Sequence, residues 1–348
     1  MNLKVKQRLR RAPTWLRNKY WPGGLILMYH RVVELTLDPF ELSVTPQHFS
    51  EHMEVLRKYS RPVSLGEMAC LLREGRRPHR MVAVTFDDGY TDNLYNAKPL
   101  LERHDVPGTV FVTTAHIGEQ KEFMWDELER LLLQPGTLPE ALKLQVRGDT
   151  VEWQLGRAAH YSEEEYLSHS GWDAQQSDDP SPRHSIYRSL HQLLKPLTRS
   201  EQQRSMEQLL AWSGMEATGR ETHRTMTATE VRQLADGGIV EVGSHTVTHQ
   251  ALSQLTPSEQ HAELEQSKAT LEEILERPVK TFAYPFGGKE DYTTETVALV
   301  RETGYDCACS NFPGIVRRDT DLFQLPRLGV HNWDGDEFER LIRWLALG

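Results

Sequence analysis

The sequence predicts an α/β chain: a (β/α) barrel with fewer than eight strands, carrying a large, mainly helical insertion. Three observations predict it. Seven short apolar runs, each followed by turn residues or a helical pattern, read as strands buried on both faces. Helical patterns separate most of them, which is the alternation of a parallel sheet. Between the third run and the fourth, more than a hundred residues break that rhythm, too many for a plain loop in a compact domain.

The first 22 residues stand apart. Lys4, Lys6, Arg8, Arg10, Arg11, Arg17 and Lys19 occur there without an acid, interleaved with Leu3, Val5, Leu9, Trp15, Leu16, Tyr20 and Trp21. A secretory signal would continue into about 7–15 apolar residues. The next apolar run, 25–28, has only four, so secretion by that route is not expected. The segment is expected either to make peripheral contact with an anionic membrane or to be a solvated basic tail.

The strands are expected at 25–29, 81–86, 109–113, 239–242, 280–284, 305–309 and 322–328. A helix should begin at Thr45-Pro46, a cap residue followed by proline at the first helical position. The clearest helix is 257–276. Thr256 and Glu259 make a capping box, Leu264, Leu271, Ile274 and Leu275 form one apolar face, and Pro278 ends it. Residues 119–234 form the insertion, with helical patterns at 127–133 and 186–197 and a polar stretch at 177–182. Residues 23–118 and 235–348 form the barrel.

Lysine and arginine number 40 against 50 acids, and beyond the basic segment the balance is 33 to 50, a net charge of −17. Such a surface repels phosphate backbones and excludes a dedicated nucleic-acid binder. No run approaches the ~20 apolar residues of a membrane span. Three cysteines exclude a disulfide scaffold and fit a reducing, cytoplasmic compartment, where membrane contact by the basic segment, the first of its two readings, would be at the inner face. Cys307 and Cys309 share one face of a strand and read as buried small side chains; a metal site would need two more soft ligands.

Three segments carry chemistry, and each follows an expected strand, the end at which parallel β/α folds build their sites. The first is Thr85-Phe86-Asp87-Asp88-Gly89. Two adjacent buried carboxylates need a cation or proton to relieve them. They point opposite ways unless the turn redirects them, so one metal ligand and one base is the natural division; a pair capping a turn is the alternative. The second is Ser244-His245-Thr246-Val247-Thr248-His249, two imidazoles four apart. On a tight turn that spacing aims both at one point and suits a transition metal, whereas in a chain with 15 histidines they are otherwise surface residues. The third is Phe282-Ala283-Tyr284-Pro285-Phe286-Gly287-Gly288, a turn that can expose a backbone N–H to a developing oxyanion, and by itself an ordinary turn.

Together, and in this order, these segments resemble the polysaccharide deacetylase family (carbohydrate esterase family 4, the NodB-homology domain), over roughly residues 25–118 and 235–330. The resemblance implies a distorted (β/α)7 barrel. It implies Asp87 as general base and Asp88, His245 and His249 as ligands of a divalent metal, with zinc expected. It places the N–H of Phe286, after Pro285, as oxyanion donor. Where the family's third motif usually has an arginine that orients the base, this chain has Ala283, and the fourth motif has no clear match. The catalytic acid of the fifth motif has two candidates. Met28-Tyr29-His30 fits if the barrel is circularly permuted, as in the poly-N-acetylglucosamine deacetylases; Leu328-Gly329-Val330-His331 has one residue too many. His30 is preferred. Tyr90, Tyr284, Phe286 and Trp125 are candidates to stack on sugar faces, or equally to pack in the core. The expected substrate is an N-acetylated glycan, polymeric or lipid-linked. The rival readings are a deformylase or other deacylase of a lipid-linked amino sugar, and a carbohydrate-binding protein without turnover.

Overall fold

The computed structural model describes residues 23–347; the basic segment at 1–22 therefore lies outside the described residues. Seven strands form the path of the central sheet: β1 (Leu25–Tyr29), β2 (Met81–Phe86), β3 (Gly108–Val112), β4 (Val240–Ser244), β5 (Thr281–Ala283), β6 (Cys307–Cys309) and β7 (Leu328–Gly329), and the two-residue strand Arg61–Pro62 pairs with the start of β2 off that path. Their order is β6-β5-β4-β3-β2-β1-β7, every neighbour is parallel, and the sheet curls. This is the distorted seven-stranded α/β barrel, with the last strand beside the first.

The expected final strand, 322–328, is shorter than its apolar pattern suggests. Pro326 has no N–H to give to a ladder. Leu325 instead exchanges hydrogen bonds with β6, through Ala308 O (2.9 Å) and Ser310 N (2.9 Å), before Leu328–Gly329 pairs with Leu27–Met28. Residues 322–329 thus touch β6 at one end of the curl and β1 at the other.

Strand register sorts the side chains into two cores. Leu25, Leu27, Val82, Val84, Val110, Val112, Val240 and Val242 face outward against helices, meeting Leu56, Leu101, Leu234 and Leu271. Ile26, Ala83, Phe111, Ala283, Cys307 and Cys309 face the lumen, together with Leu65, Met68 and Leu72 of the helix Leu65–Arg73. Both cysteines are therefore small buried lumen residues, as expected from their spacing. The helix Pro46–Tyr59 begins as read, with the Thr45 hydroxyl accepting from the His48 N–H (3.2 Å). The helix Pro257–Leu275 carries its full capping box.

The region between β3 and β4 has a core of its own, including Leu128, Leu131, Leu142, Leu144, Tyr187 and Leu190. Helices Met124–Leu132, Glu163–His169, Pro182–Leu194 and Arg199–Ser213 dominate it. It also contains an antiparallel hairpin, Ala141–Val146 with Asp149–Gln154, absent from the sequence reading. The signal was present as alternation in Ala-Leu-Lys-Leu-Gln-Val, whose burial alternates likewise. Arg147 and Gly148 both adopt positive φ (+53° and +91°) at the turn, an Arg-Gly pair in place of the usual Asn-Gly. The helix Ala228–Ala235, assigned from sequence to the insertion, packs Val231 and Leu234 into the outer barrel core instead.

Candidate active site

The site begins with three residues that each stand one position beyond a strand. β1 and β2 are in register at Tyr29 and Phe86, and the Asp87 N–H still bonds Tyr29 O (3.1 Å). β3 and β4 are in register at Val112 and Ser244, and the His245 N–H still bonds Val112 O (3.0 Å). Alternation along a strand puts His30, Asp87 and His245 on the lumen side, above Met28, Thr85 and Gly243.

Asp88 would point away from this group on a continuing strand. It does not, because Asp88 and Gly89 both take left-handed backbone, φ +75° and +84°. The carboxylate is turned back toward the two histidines: Asp88 Oδ1 lies 3.3 Å from His249 Nε2 and 3.7 Å from His245 Nε2. Thr246 (φ +65°) and His249 (φ +58°) bend the histidine loop to the same point. Left-handed backbone at a non-glycine residue costs of order 1–3 kcal/mol and persists only where its surroundings enforce it. Four of the nine such residues among those described lie here: Asp88, Thr246, His249 and Phe286.

The donor set fits a metal ion. One ligand atom each from Asp88, His245 and His249 lies within 4.8 Å of the others, and Asp88 Oδ1 is buried without a hydrogen-bond partner. Nδ1 of His245 donates to Ala283 O (2.8 Å), which fixes the tautomer and leaves Nε2 as a lone pair facing Asp88. Burial pushes His245 down to about 4, so its imidazole is neutral near pH 7, as a ligand must be. Trp125 (5.0 Å), Phe123 (5.8 Å) and Phe286 (4.8 Å) wall the His249 ring edge-on.

Asp87 has a separate partner that the sequence reading missed. Arg327, fully buried, meets it with two parallel hydrogen bonds, Nη1 to Oδ1 and Nη2 to Oδ2, each 2.7 Å. Burial by itself would raise the Asp87 carboxyl; the Arg327 charge outweighs it and holds the group well below the usual carboxylate range. Arg327 Nε donates to Ser310 O (2.9 Å), and the guanidinium lies 5.7 Å from the Phe111 ring centre. Ala283, at the position where an arginine was expected, is a small lumen residue on a neighbouring strand. The one available signal was an arginine inside an otherwise apolar closing segment, Leu325-Pro326-Arg327-Leu328.

The remaining residues divide. Phe286 follows buried Pro285 with φ +59°, and its carbonyl accepts from Asn311 Nδ2 (2.9 Å). Tyr284 and Tyr90 are not sugar platforms. Tyr284 is 1% exposed, stacks on Tyr292 at 4.0 Å and donates to Phe323 O. Tyr90 is wholly buried under the Arg31 guanidinium, donates to Asp126 Oδ2 (2.6 Å) and accepts from Trp125 Nε1 (3.0 Å). Each hydroxyl sits just past a strand and finds its partner inside the protein, the usual fate of a buried tyrosine. His331 pairs with Glu41 (3.4 Å) and lies against Trp333.

Comparisons with known proteins bear on the fold and the family. The chain is 21% identical over 318 residues to "Putative polysaccharide deacetylase YxkH" of Bacillus subtilis, covering 91% of this chain and 74% of that protein. It is 30% identical over 111 residues to the poly-beta-1,6-N-acetyl-D-glucosamine N-deacetylase of Staphylococcus aureus, covering 28% of this chain and only 38% of that protein. Two solved structures share the fold at 17% identity: the Streptococcus pyogenes deacetylase PplD (TM-score 0.55) and IcaB from Ammonifex degensii (TM-score 0.56). Each match covers 93% of this chain and 97% of the other. The sequence profile described as polysaccharide deacetylase matches residues 74–139 and 198–308, more than half of the chain. The chain therefore belongs to the polysaccharide deacetylase family.

Proposed function

We propose that the protein is a metal-dependent hydrolase that removes the N-acetyl group from an amino sugar of a polysaccharide or lipid-linked glycan. One observation carries this reading: two adjacent buried carboxylates have been given different partners, Asp87 an arginine and Asp88 two imidazoles. A carboxylate set among two histidines with open positions suits zinc. Held by Asp88, His245 and His249, the cation would polarise the amide carbonyl and lower the pKa of water from 15.7 toward about 7.

This chain's own groups supply the rest. Asp87, kept ionised and oriented by Arg327, takes the proton from the attacking water. The N–H of Phe286 holds the oxyanion of the tetrahedral intermediate. His30, on the same rim as Asp87, hands a proton to the departing sugar amine. The products are acetate and a free amino sugar. The name of the staphylococcal relative supports N-acetylglucosamine as the sugar. A non-catalytic binding protein would have no use for a base clamped by a buried arginine. The basic residues before position 22 are proposed to hold the enzyme at an anionic bilayer; liposome sedimentation with and without residues 1–22 tests that, and equal binding refutes it.

The decisive experiment joins elemental analysis to acetate release from a panel of N-acetylated glycans. The protein is expected to carry one divalent metal and release acetate. His245→Ala should lose most of the metal. Asp87→Asn should keep it and lose turnover by about 10²–10⁴-fold. Metal loss in Asp87→Asn with retention in Asp88→Asn would reverse the two roles, and release of formate in place of acetate would identify a deformylase.

A further inference from the structure

The insertion reaches back over the site through the five residues that follow its helix Pro182–Leu194 and begin its helix Arg199–Ser213. Three contacts are made there, each to a different loop that follows a barrel strand. Leu197 O accepts from Gln250 Nε2 (2.9 Å), and Gln250 directly follows His249. Arg199 Nη1 meets His116 Nε2 (3.3 Å), in the loop after β3. Lys195 Nζ pairs with Asp291 Oδ1 (2.8 Å) and lies 4.2 Å from the centre of the Phe286 ring.

The third contact bears on the strained turn. Phe286 is held at φ +59° and Gly287 at +66°. The Phe286 ring is contacted by His249 at 4.8 Å and by the Lys195 ammonium, a cation–π contact. The Asp291 carboxylate that anchors Lys195 is itself 5% exposed, and its other oxygen accepts from the Gly288 N–H (3.0 Å). Lys195 and Asp291 thus grip the turn at its ring and at its backbone. Nothing in the turn's own sequence requires a left-handed phenylalanine, so the conformation must be imposed from outside.

We infer that Lys195, paired with Asp291, is a positioning residue through which the insertion fixes the Phe286 N–H for the tetrahedral intermediate. This rests on the proposed role of Phe286 as oxyanion donor. The inference gives the insertion a part in catalysis: it adds a hold on the ring of a turn whose backbone the barrel already grips, through Asn311 Nδ2 to Phe286 O (2.9 Å) and the Asn311 N–H to Gly287 O (2.8 Å). Lys195 touches no reacting atom, so its loss should loosen the donor rather than delete it. Losing an oxyanion donor outright typically lowers kcat by 10²–10³-fold, and a smaller effect, about tenfold, is expected here.

The test uses the full chain with its metal, as Lys195→Met and Lys195→Arg. Two readouts are taken: hydrogen exchange of the backbone amides at 285–291, and kcat and KM on an N-acetylglucosamine oligomer. Lys195→Met should exchange faster at 285–291, lower kcat about tenfold, leave KM within about twofold and keep its metal. Lys195→Arg should restore both protection and kcat. Unchanged exchange in Lys195→Met would overturn the proposal, as would a rise in KM with kcat intact, which would make Lys195 a substrate contact. If the wild-type protein turns over no glycan, the deacetylase reading fails, while the exchange measurement still decides whether Lys195 grips the turn.

Discussion

At the smallest scale, Arg327 and Asp87 form a two-bond ion pair within the candidate site. Both are buried, and a buried ion pair broken on one side leaves an uncompensated charge. Arg327→Met should therefore destabilise the fold by about 3–5 kcal/mol at neutral pH, measured by urea unfolding. The sign with pH follows from the depressed Asp87 carboxyl. The pair's contribution is present above the ordinary aspartate value and is lost as pH falls through the lower native one, so the mutational cost should shrink in acid. With the guanidinium gone, burial raises Asp87, and the acid limb of the pH–rate profile should move upward. An unmoved limb would exclude Asp87 as the base. The acid is tested as simply. His30 shares the rim with Asp87, whereas His331 is engaged by Glu41 and Trp333. His30→Ala should abolish turnover with metal content intact, and His331→Ala should be nearly silent; the reverse result would return the acid to the closing segment.

At the scale of the elements, the lumen is filled by unequal partners. Phe111 projects from β3 into a space left by Ala83, Ala283, Cys309 and Gly243. A Cβ on Gly243 would stand 2.5 Å from Phe111 Cδ1 and 2.6 Å from Thr281 Oγ1. Neither neighbour has room to retreat, since both are buried within the sheet. Gly243→Ala should cost about 1–3 kcal/mol by overpacking, and because His245 lies two residues on, metal affinity should fall with it. Differential scanning calorimetry and metal titration would read both. A neutral Gly243→Ala would mean that β4 can slide within the sheet. Ala283 is a small member of the same buried cluster, and the guanidinium that meets Asp87 comes from residue 327.

Across the whole molecule, buried neutral histidines link its parts. His52 accepts from the Tyr29 hydroxyl at Nδ1 and donates to Trp333 O at Nε2, tying β1 to the C-terminal region through an uncharged ring. Burial pushes His52 down to about 4 and His116 to about 3; His245 is also near 4. In the unfolded chain each titrates near 6.5, so below that pH the unfolded state binds more protons and stability falls. By pH 5 the loss should be about 2 kcal/mol for each such histidine. Urea midpoints of the metal-stripped protein at pH 7.5 and pH 5 should differ accordingly, and His52→Gln should flatten the slope. A pH-independent midpoint over that range would show that these rings titrate in the native state as they do in the unfolded chain.

The sequence by itself determined the strands that are continuous apolar runs: 25–29 and 81–86 match β1 and β2 residue for residue. It determined the capped helix from Thr256 and the rim positions of Asp87, Asp88, His245 and His249. These are local properties, set by periodicity, caps and the turn that follows each strand. What it could not determine depends on contacts between distant residues. Arg327 and Asp87 are 240 positions apart, and their meeting requires the sheet to curl until its last segment lies beside its first. Whether Tyr90 and Tyr284 face a sugar or the core depends on Asp126 and Phe323 being there to receive their hydroxyls. The backbone of Asp88, Thr246 and Phe286 is in a region their own residue types disfavour, so only the surrounding packing can hold it there. Tertiary structure decided these points because each one opposes, or lies beyond the reach of, the local preferences the sequence encodes.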